Sequence, residues 1–264
     1  MAIEVDARAA GFEAKKLARI GEHLSERYVA PGKIAGCQVL VSRHGIPAYF
    51  ESYGLMDRER NKPMQDDTLF RIYSMSKPIT SVALMMLWEE GRFQLSDPVH
   101  RYIPSWRNQS VWQEGEGSSM VTRRPKTPPT MQHILSHTAG LTYGGLLPGL
   151  ESPVDAVYQQ MGVARGDGET LLDFAEKLGR VPLLYEPGSK WCYSLATDVC
   201  GALVEIISGQ PFEQFLQDRL FAPLGMRDTG FRVSDEQLDR FAACYVRGPD
   251  KQLLLEDDPE TSHY

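Results

Sequence analysis

Phe70-Arg-Ile-Tyr-Ser74-Met-Ser-Lys77-Pro78 leads into an almost wholly apolar run, residues 79–88, and so marks the start of a buried helix. Pro78 fits the first turn of that helix, where a missing N–H costs little. Ser74 and Lys77 stand three residues apart, a spacing that puts a hydroxyl and an amine on one helical face. A lysine at the base of an apolar helix is expected to lose its proton, because desolvation disfavours the charged form. It can then draw a proton from Ser74. The first turn also offers unpaired N–H groups and the positive end of the helix dipole, which suit a developing oxyanion. Spacing by itself favours the plainer alternative, a helix cap followed by a solvated lysine.

Composition narrows the class. With 264 residues, 42% hydrophobic and 24% charged, the chain can build one large domain or two moderate ones, and is ordinary for a globular protein. A formal net charge of −7 argues against nucleic acid as a partner, which calls for clustered Lys and Arg. Arg123, Arg124 and Lys126 form the notable basic cluster, and the prolines around it indicate an exposed loop. Cys37, Cys192, Cys200 and Cys244 show neither paired metal spacing nor a dense disulfide framework, which points to a reducing compartment. The first residues lack the basic and apolar regions of a secretory leader, and no uncharged apolar run approaches membrane-spanning length. The expectation is a cytoplasmic protein with no membrane partner.

Phe12, Leu17, Ile20, Leu24 and Tyr28 recur at helical spacing and predict an amphipathic helix over residues 13–28, ended by Pro31-Gly32. Residues 36–43 alternate, His44-Gly45 turns the chain and residues 47–53 return, which predicts a β-hairpin. Such a pair is marginal alone and needs further strands or a covering helix. Residues 55–68 read as a polar loop and residues 108–127 as a surface excursion. Short helices are predicted from Thr130 to His137, over residues 154–161, 170–178 and 212–221, and a strongly amphipathic one over residues 196–208 closed by Gly209. From Asp228 onward the chain turns polar.

Four segments occur in order: Asp67-Thr-Leu-Phe-Arg-Ile-Tyr-Ser74-Met-Ser-Lys77-Pro-Ile-Thr80, Ile134-Leu-Ser-His137-Thr-Ala-Gly140-Leu141, Glu186-Pro-Gly188-Ser-Lys-Trp-Cys-Tyr193-Ser-Leu195 and Pro223-Leu-Gly-Met226-Arg-Asp-Thr-Gly-Phe231. The first resembles the active-serine segment of the serine β-lactamase-like proteins. Together they are similar to the class C β-lactamase-related group, and most of all to the family VIII carboxylesterases. The resemblance implies an α/β (α+β) fold of the β-lactamase and penicillin-binding-protein type, an antiparallel sheet flanked by helices with an inserted, mostly helical domain. It implies Ser74 as acylated nucleophile, with Lys77 and Tyr193 in its proton relay. The implied reaction is hydrolysis of small short-acyl carboxylic esters through a covalent acyl-enzyme, with a small-molecule ester as partner and no metal or organic cofactor.

Departures from the family pattern matter as well. Class C lactamases usually show Tyr-x-Asn, whereas Tyr193 is followed by Ser194 and Leu195. An apolar group thus replaces an amide that would hold a β-lactam side chain, which favours esters, although β-lactamase or penicillin-binding DD-peptidase chemistry shares the same opening steps. No Gly-x-Ser-x-Gly elbow occurs, which disfavours an ordinary α/β-hydrolase. The resemblance covers residues 12–260, while members of the group run on into a Gly-rich segment and a Lys-Thr-Gly-like or Trp-Gly-Gly-like strand. The C-terminal sheet strands are therefore expected to be absent from this chain, as in a fragment or cleaved chain; the alternative is a shortened variant that assembles with a partner strand, from a complementing C-terminal fragment or a homo-oligomer. A catalytically incomplete fragment or binding scaffold is the third reading.

The expected domains are residues 1–56, N-terminal helix and hairpin; residues 57–231, the mostly helical domain carrying the active site; and residues 232–264, a return segment. Tyr143, Trp191, Leu195 and the residues around Leu146 are the candidate substrate-binding positions, although aromatic lining and plain core packing look alike at this level. The family position of His137 suggests a structural hydrogen bond, and Asp198 a helix-start carboxylate. His23, His44, His100, His133 and His263 show no metal-ligand spacing.

Overall fold

Residues Ala14–Leu24 form helix α1, which runs on through one π turn over Ser25–Val29 and so reaches as far as the apolar periodicity does. The computed structural model describes residues 3–147, 149–163 and 168–262. The chain divides into two units, Met1–Ile72 with Gly230–Tyr264 and Tyr73–Thr229. In the first unit, α1 lays Leu17 and Ile20 on a small core with Ala10, Phe12, Ile46, Ala48 and Tyr49. Strands β1 (Gly36–Arg43) and β2 (Ile46–Asp57) pair antiparallel, with Gly36 opposite Gly54 and Val39 opposite Glu51. The two-residue turn His44-Gly45 has positive φ at both positions, the geometry whose twist matches its flanking strands.

The polar stretch after Tyr53 is not a plain loop. β2 continues to Asp57 and picks up β3, Lys62–Pro63. Met56 and Asp57 are buried, and the Asp57 carboxylate takes hydrogen bonds from the Arg60 backbone and guanidinium, each at 2.8 Å. Alternation is interrupted here, so a pattern of period two does not reveal the extension.

The second unit opens with a tight turn over Tyr73–Met75 and helix α2, Ser76–Glu89. A hairpin follows, β4 (Val111–Glu114) with β5 (Val121–Arg123), where the sequence suggested only an excursion. Its anchor is Val111, buried and bridged to Leu183, beside a Trp112 N–H that donates to the Leu183 carbonyl at 2.7 Å. Helices α3 (Met131–Leu135), α4 (Asp155–Gln160), α5 (Leu171–Leu178), α6 (Ala196–Ser208) and α7 (Phe212–Leu216) complete the unit. Thr130 caps α3 reciprocally with His133, and Thr170 caps α5 with Asp173.

One core joins these helices. α2 contributes Ala83, Leu84 and Leu87, and α6 contributes Val199, Ala202, Leu203 and Ile207, packed with Trp106, Tyr158 and Phe215. Each fully buried large side chain adds about 1.5–3 kcal/mol, so the helix that carries Lys77 is firmly seated. Gly140, the last residue of His-Thr-Ala-Gly, has φ +89°, and a Cβ there would lie 2.1 Å from the Tyr185 carbonyl oxygen. Only glycine lets the chain pass so close, with the Leu184 N–H donating to the Gly140 carbonyl at 2.7 Å.

The return segment belongs to the first unit. It forms a second hairpin that its polar composition concealed, β6 (Cys244–Arg247) with β7 (Leu253–Asp257). Arg71 ties it down: the guanidinium pairs with Asp257, donates to the Ala242 carbonyl at 2.6 Å and lies 4.0 Å over the Phe241 ring. Arg60 adds ion pairs to Asp258 at 2.9 Å and Glu260 at 3.1 Å. These bonds, with the Leu69–Phe241 bridge, bind residues 57–72 to the N-terminal hairpin and the return segment. The units accordingly divide after Ile72 and Thr229, where the sequence suggested 57 and 231, because Arg60, in the stretch read as a loop, and Arg71, in the active-serine segment, both pair with the return segment. Arg71→Ala is expected to cost about 3–5 kcal/mol, since it strands a buried carboxylate, with a smaller loss for Arg60→Ala, whose side chain stays 27% exposed. Urea midpoints of the two variants check this order.

Candidate active site

Ser74 occupies the turn just ahead of α2, and the residue before it, Tyr73, holds a φ of +41°. A non-glycine residue in that region costs about 1–3 kcal/mol, borne by the packing of α2 behind it. The Ser74 side chain is exposed. Lys77, in the first turn of α2, donates from Nζ to Ser74 Oγ at 3.2 Å. Tyr193, on the stretch leading into α6, donates its hydroxyl to the same Oγ at 2.8 Å. A hydroxyl, an ammonium and a phenol thus meet at one atom, all within the second unit.

The remaining expected positions divide. Tyr143 does more than line a pocket: it hydrogen-bonds with Lys77, and its ring centroid lies 5.1 Å from that of Tyr193. Sequence reasoning missed this contact; the signal was a tyrosine two residues after the His-Thr-Ala-Gly-Leu segment, beyond Thr142. Trp191 is 62% exposed and stacks on Tyr193 at 6.1 Å. Leu146 is exposed as well. Leu195 is a correction: it caps the start of α6 and is buried in the helical core, so it faces no substrate. His137 Nδ1 lies 3.2 Å from Ser194 Oγ and its carbonyl accepts from the Cys192 N–H at 2.8 Å, the structural contacts expected of it. Asp198 lies in the first turn of α6. Among the described residues no group of His, Cys, Asp or Glu is arranged to hold a metal ion; His263 lies outside them.

The electrostatics overturn one expectation. Burial does pull the Lys77 ammonium towards neutrality, but hydrogen bonds with Tyr143 and Tyr193 outweigh it, and its pKa moves up. For Tyr193 burial pushes the phenol up, yet the hydrogen bonds to Lys77, Ser74 and Tyr143 win and the net direction is down. Tyr143, with burial dominant, moves up. Burial, then the Lys77 charge, lowers the His137 pKa and keeps that imidazole neutral. The arrangement therefore favours a charged lysine supporting a tyrosinate, rather than a neutral lysine acting as base. Spectrophotometric titration of tyrosinate should show a group ionising below the ordinary tyrosine range; Tyr193→Phe should abolish that step and Lys77→Met should move it upward.

The sequence model of the family described as Beta-lactamase matches residues 22–262, and the chain belongs to that family. The fold is the α/β fold of β-lactamases and penicillin-binding proteins. Among its relatives, Esterase EstB of Burkholderia gladioli is 37% identical, over 98% of this chain and 62% of that protein. Penicillin-binding protein 4* of Bacillus subtilis strain 168 is 27% identical, over 95% and 49%. Among solved structures, EstCE1, a hydrolase with promiscuous acyltransferase activity, superposes with a TM-score of 0.78 at 34% identity, over 93% of this chain and 60% of that one. The chain thus spans about half to three-fifths of the length of these relatives. No helix among the described residues is long and apolar enough to cross a membrane.

Proposed function

We propose that the second unit carries the acyl-enzyme site of a serine hydrolase acting on small carboxylic esters of the carboxylesterase type. The observation that carries this is the approach of both Tyr193 Oη, at 2.8 Å, and Lys77 Nζ, at 3.2 Å, to Ser74 Oγ. In this reading the Tyr193 phenolate, stabilised by the Lys77 ammonium, accepts the Ser74 proton as Oγ attacks the ester carbonyl. Collapse of the tetrahedral intermediate breaks the bond to the alkoxide, which leaves with the proton held by Tyr193. Water then attacks the acyl-serine, giving its proton to Tyr193, and Tyr193 passes that proton to Ser74 Oγ as the acyl–Oγ bond breaks, so the carboxylic acid departs with the serine hydroxyl and the phenolate restored. Trp191, Tyr143 and Leu146 offer apolar surface to the acyl group, which supports esters over charged substrates. The names of the relatives support ester chemistry too.

β-Lactamase or DD-peptidase turnover is the second reading, favoured by likeness to a penicillin-binding protein and disfavoured by the lack of the Tyr-x-Asn pattern, since position 195 holds a core leucine and offers no amide to a β-lactam side chain. A p-nitrophenyl phosphonate should leave one covalent adduct on intact protein, mapped to Ser74 and missing from Ser74→Ala. p-Nitrophenyl butyrate turnover should exceed nitrocefin turnover and fall about 10³-fold or more in Ser74→Ala and Lys77→Ala, with their folds retained. Because a base of lowered pKa must be ionised to act, the acylation rate should rise with pH through the Tyr193 ionisation and then level off. Substantial turnover by Ser74→Ala would remove the serine assignment, and absence of any adduct would leave the binding-scaffold reading.

A further inference from the structure

Behind Tyr143 lies a buried polar cluster that takes no part in the chemistry above. Thr142 is 2% exposed, Asp155 6% and Tyr158 fully buried. Every polar group of Thr142 is engaged. Its N–H donates to the Tyr158 hydroxyl at 3.1 Å, its Oγ1 donates to Asp155 Oδ1 at 3.0 Å and accepts from the Gly144 N–H at 3.0 Å, and its carbonyl accepts from the Leu195 N–H at 3.2 Å. Asp155 takes two more hydrogen bonds from Ser152, N–H to Oδ2 at 2.6 Å and Oγ to Oδ1 at 2.7 Å. Just beyond Tyr143, Gly144 packs so tightly on the Tyr158 ring that a Cβ would lie 2.6 Å from it. The backbone on both sides of Tyr143 is therefore fixed from below, and the Leu195 bond ties it to the stretch that carries Tyr193.

Burying a carboxylate is costly unless donors compensate, and an apolar residue would fill the same volume without that cost. What a carboxylate adds is direction: it fixes the rotamer of the Thr142 hydroxyl, and through it the backbone from which Tyr143 projects. We propose that Asp155 is a positioning residue for the acylation site, acting through Thr142 to hold the Tyr143 phenol against Lys77. Groups facing the carboxylate are Thr142, Ser152, Tyr158 and, through its field, Cys192. Those facing Lys77 are Ser74, Tyr143, Tyr193 and His137. Asp155 touches none of the reacting atoms.

The inference rests on the acyl-enzyme reading for its kinetic consequence, while its geometric content can be tested without any substrate. Thr142→Val keeps the shape and removes the hydroxyl; Asp155→Ala removes the carboxylate; Thr142→Ser restores the hydroxyl. The first two should slow phosphonate acylation of Ser74 about 10²-fold, the order of effect expected from a misplacement near 1 Å. They should also displace the low-lying tyrosinate ionisation from its wild-type position, and Thr142→Ser should recover both. Wild-type acylation rates and an unchanged tyrosinate titration in Thr142→Val, even with a lowered Tm, would reduce Asp155 to a structural residue and overturn the proposal. Should Asp155→Ala fail to fold, Thr142→Val alone decides. Failure of the wild-type protein to form any Ser74 adduct would instead refute the acyl-enzyme reading, and the titration would still judge the positioning.

Discussion

The Lys77 ammonium held by two phenols is the contact on which the site depends. Two opposed effects act on it. Partial burial favours the neutral amine, whereas each hydrogen bond to a charged group is worth about 1.5–3 kcal/mol before solvent screening. With Tyr143 and Tyr193 both in reach, the hydrogen bonds prevail and the lysine keeps its charge. That charge is what draws Tyr193 towards ionisation, so the group beside Ser74 whose proton is loosened is the phenol and not the lysine. The helical core makes this arrangement durable, because α2 and α6 share one apolar cluster and the side chains they position cannot drift apart without opening it.

Much of this was legible in the chain. The apolar run after Pro78 marked α2, the alternation around His44-Gly45 marked the first hairpin, and the segments ending at Gly140 and Leu195 carried the family likeness. Each is a local signal, set by periodicity or by a residue with special backbone needs. Ser74, Lys77 and Tyr193 were identifiable because two of them share a helical turn and the third sits in a recognisable segment, and their side chains do converge.

The rest depended on partners remote in the sequence. The protonation preference of Lys77 reverses on account of Tyr143, and nothing near Lys77 announces that residue. Leu195 looked available because it stands where the family's Tyr-x-Asn pattern has its asparagine; the start of α6 turns it into the core. The hairpins β4–β5 and β6–β7 escaped because their strands are short and largely exposed, held by a few anchors such as Val111 and Asp257. The extent of the first unit was hidden for a related reason, since Arg60 and Arg71 find acidic partners in the return segment, nearly two hundred positions away.

That discontinuity bears on how the protein is made. Arg71 and Asp257 are separated by 186 positions, and closing an unstructured loop of that length costs about 5 kcal/mol beyond a constant. A nascent chain emerging from the ribosome would present the β1–β2 hairpin long before the segment that secures it exists. The continuous Tyr73–Thr229 unit has no such wait, since all its core residues are already synthesised when Thr229 appears. Assembly of the Ser74–Lys77–Tyr193 cluster and consolidation of the opening hairpin are thereby separated in time, and a pause in translation near residue 230 would leave the former built while the β-ribbon is still unsecured and aggregation-prone.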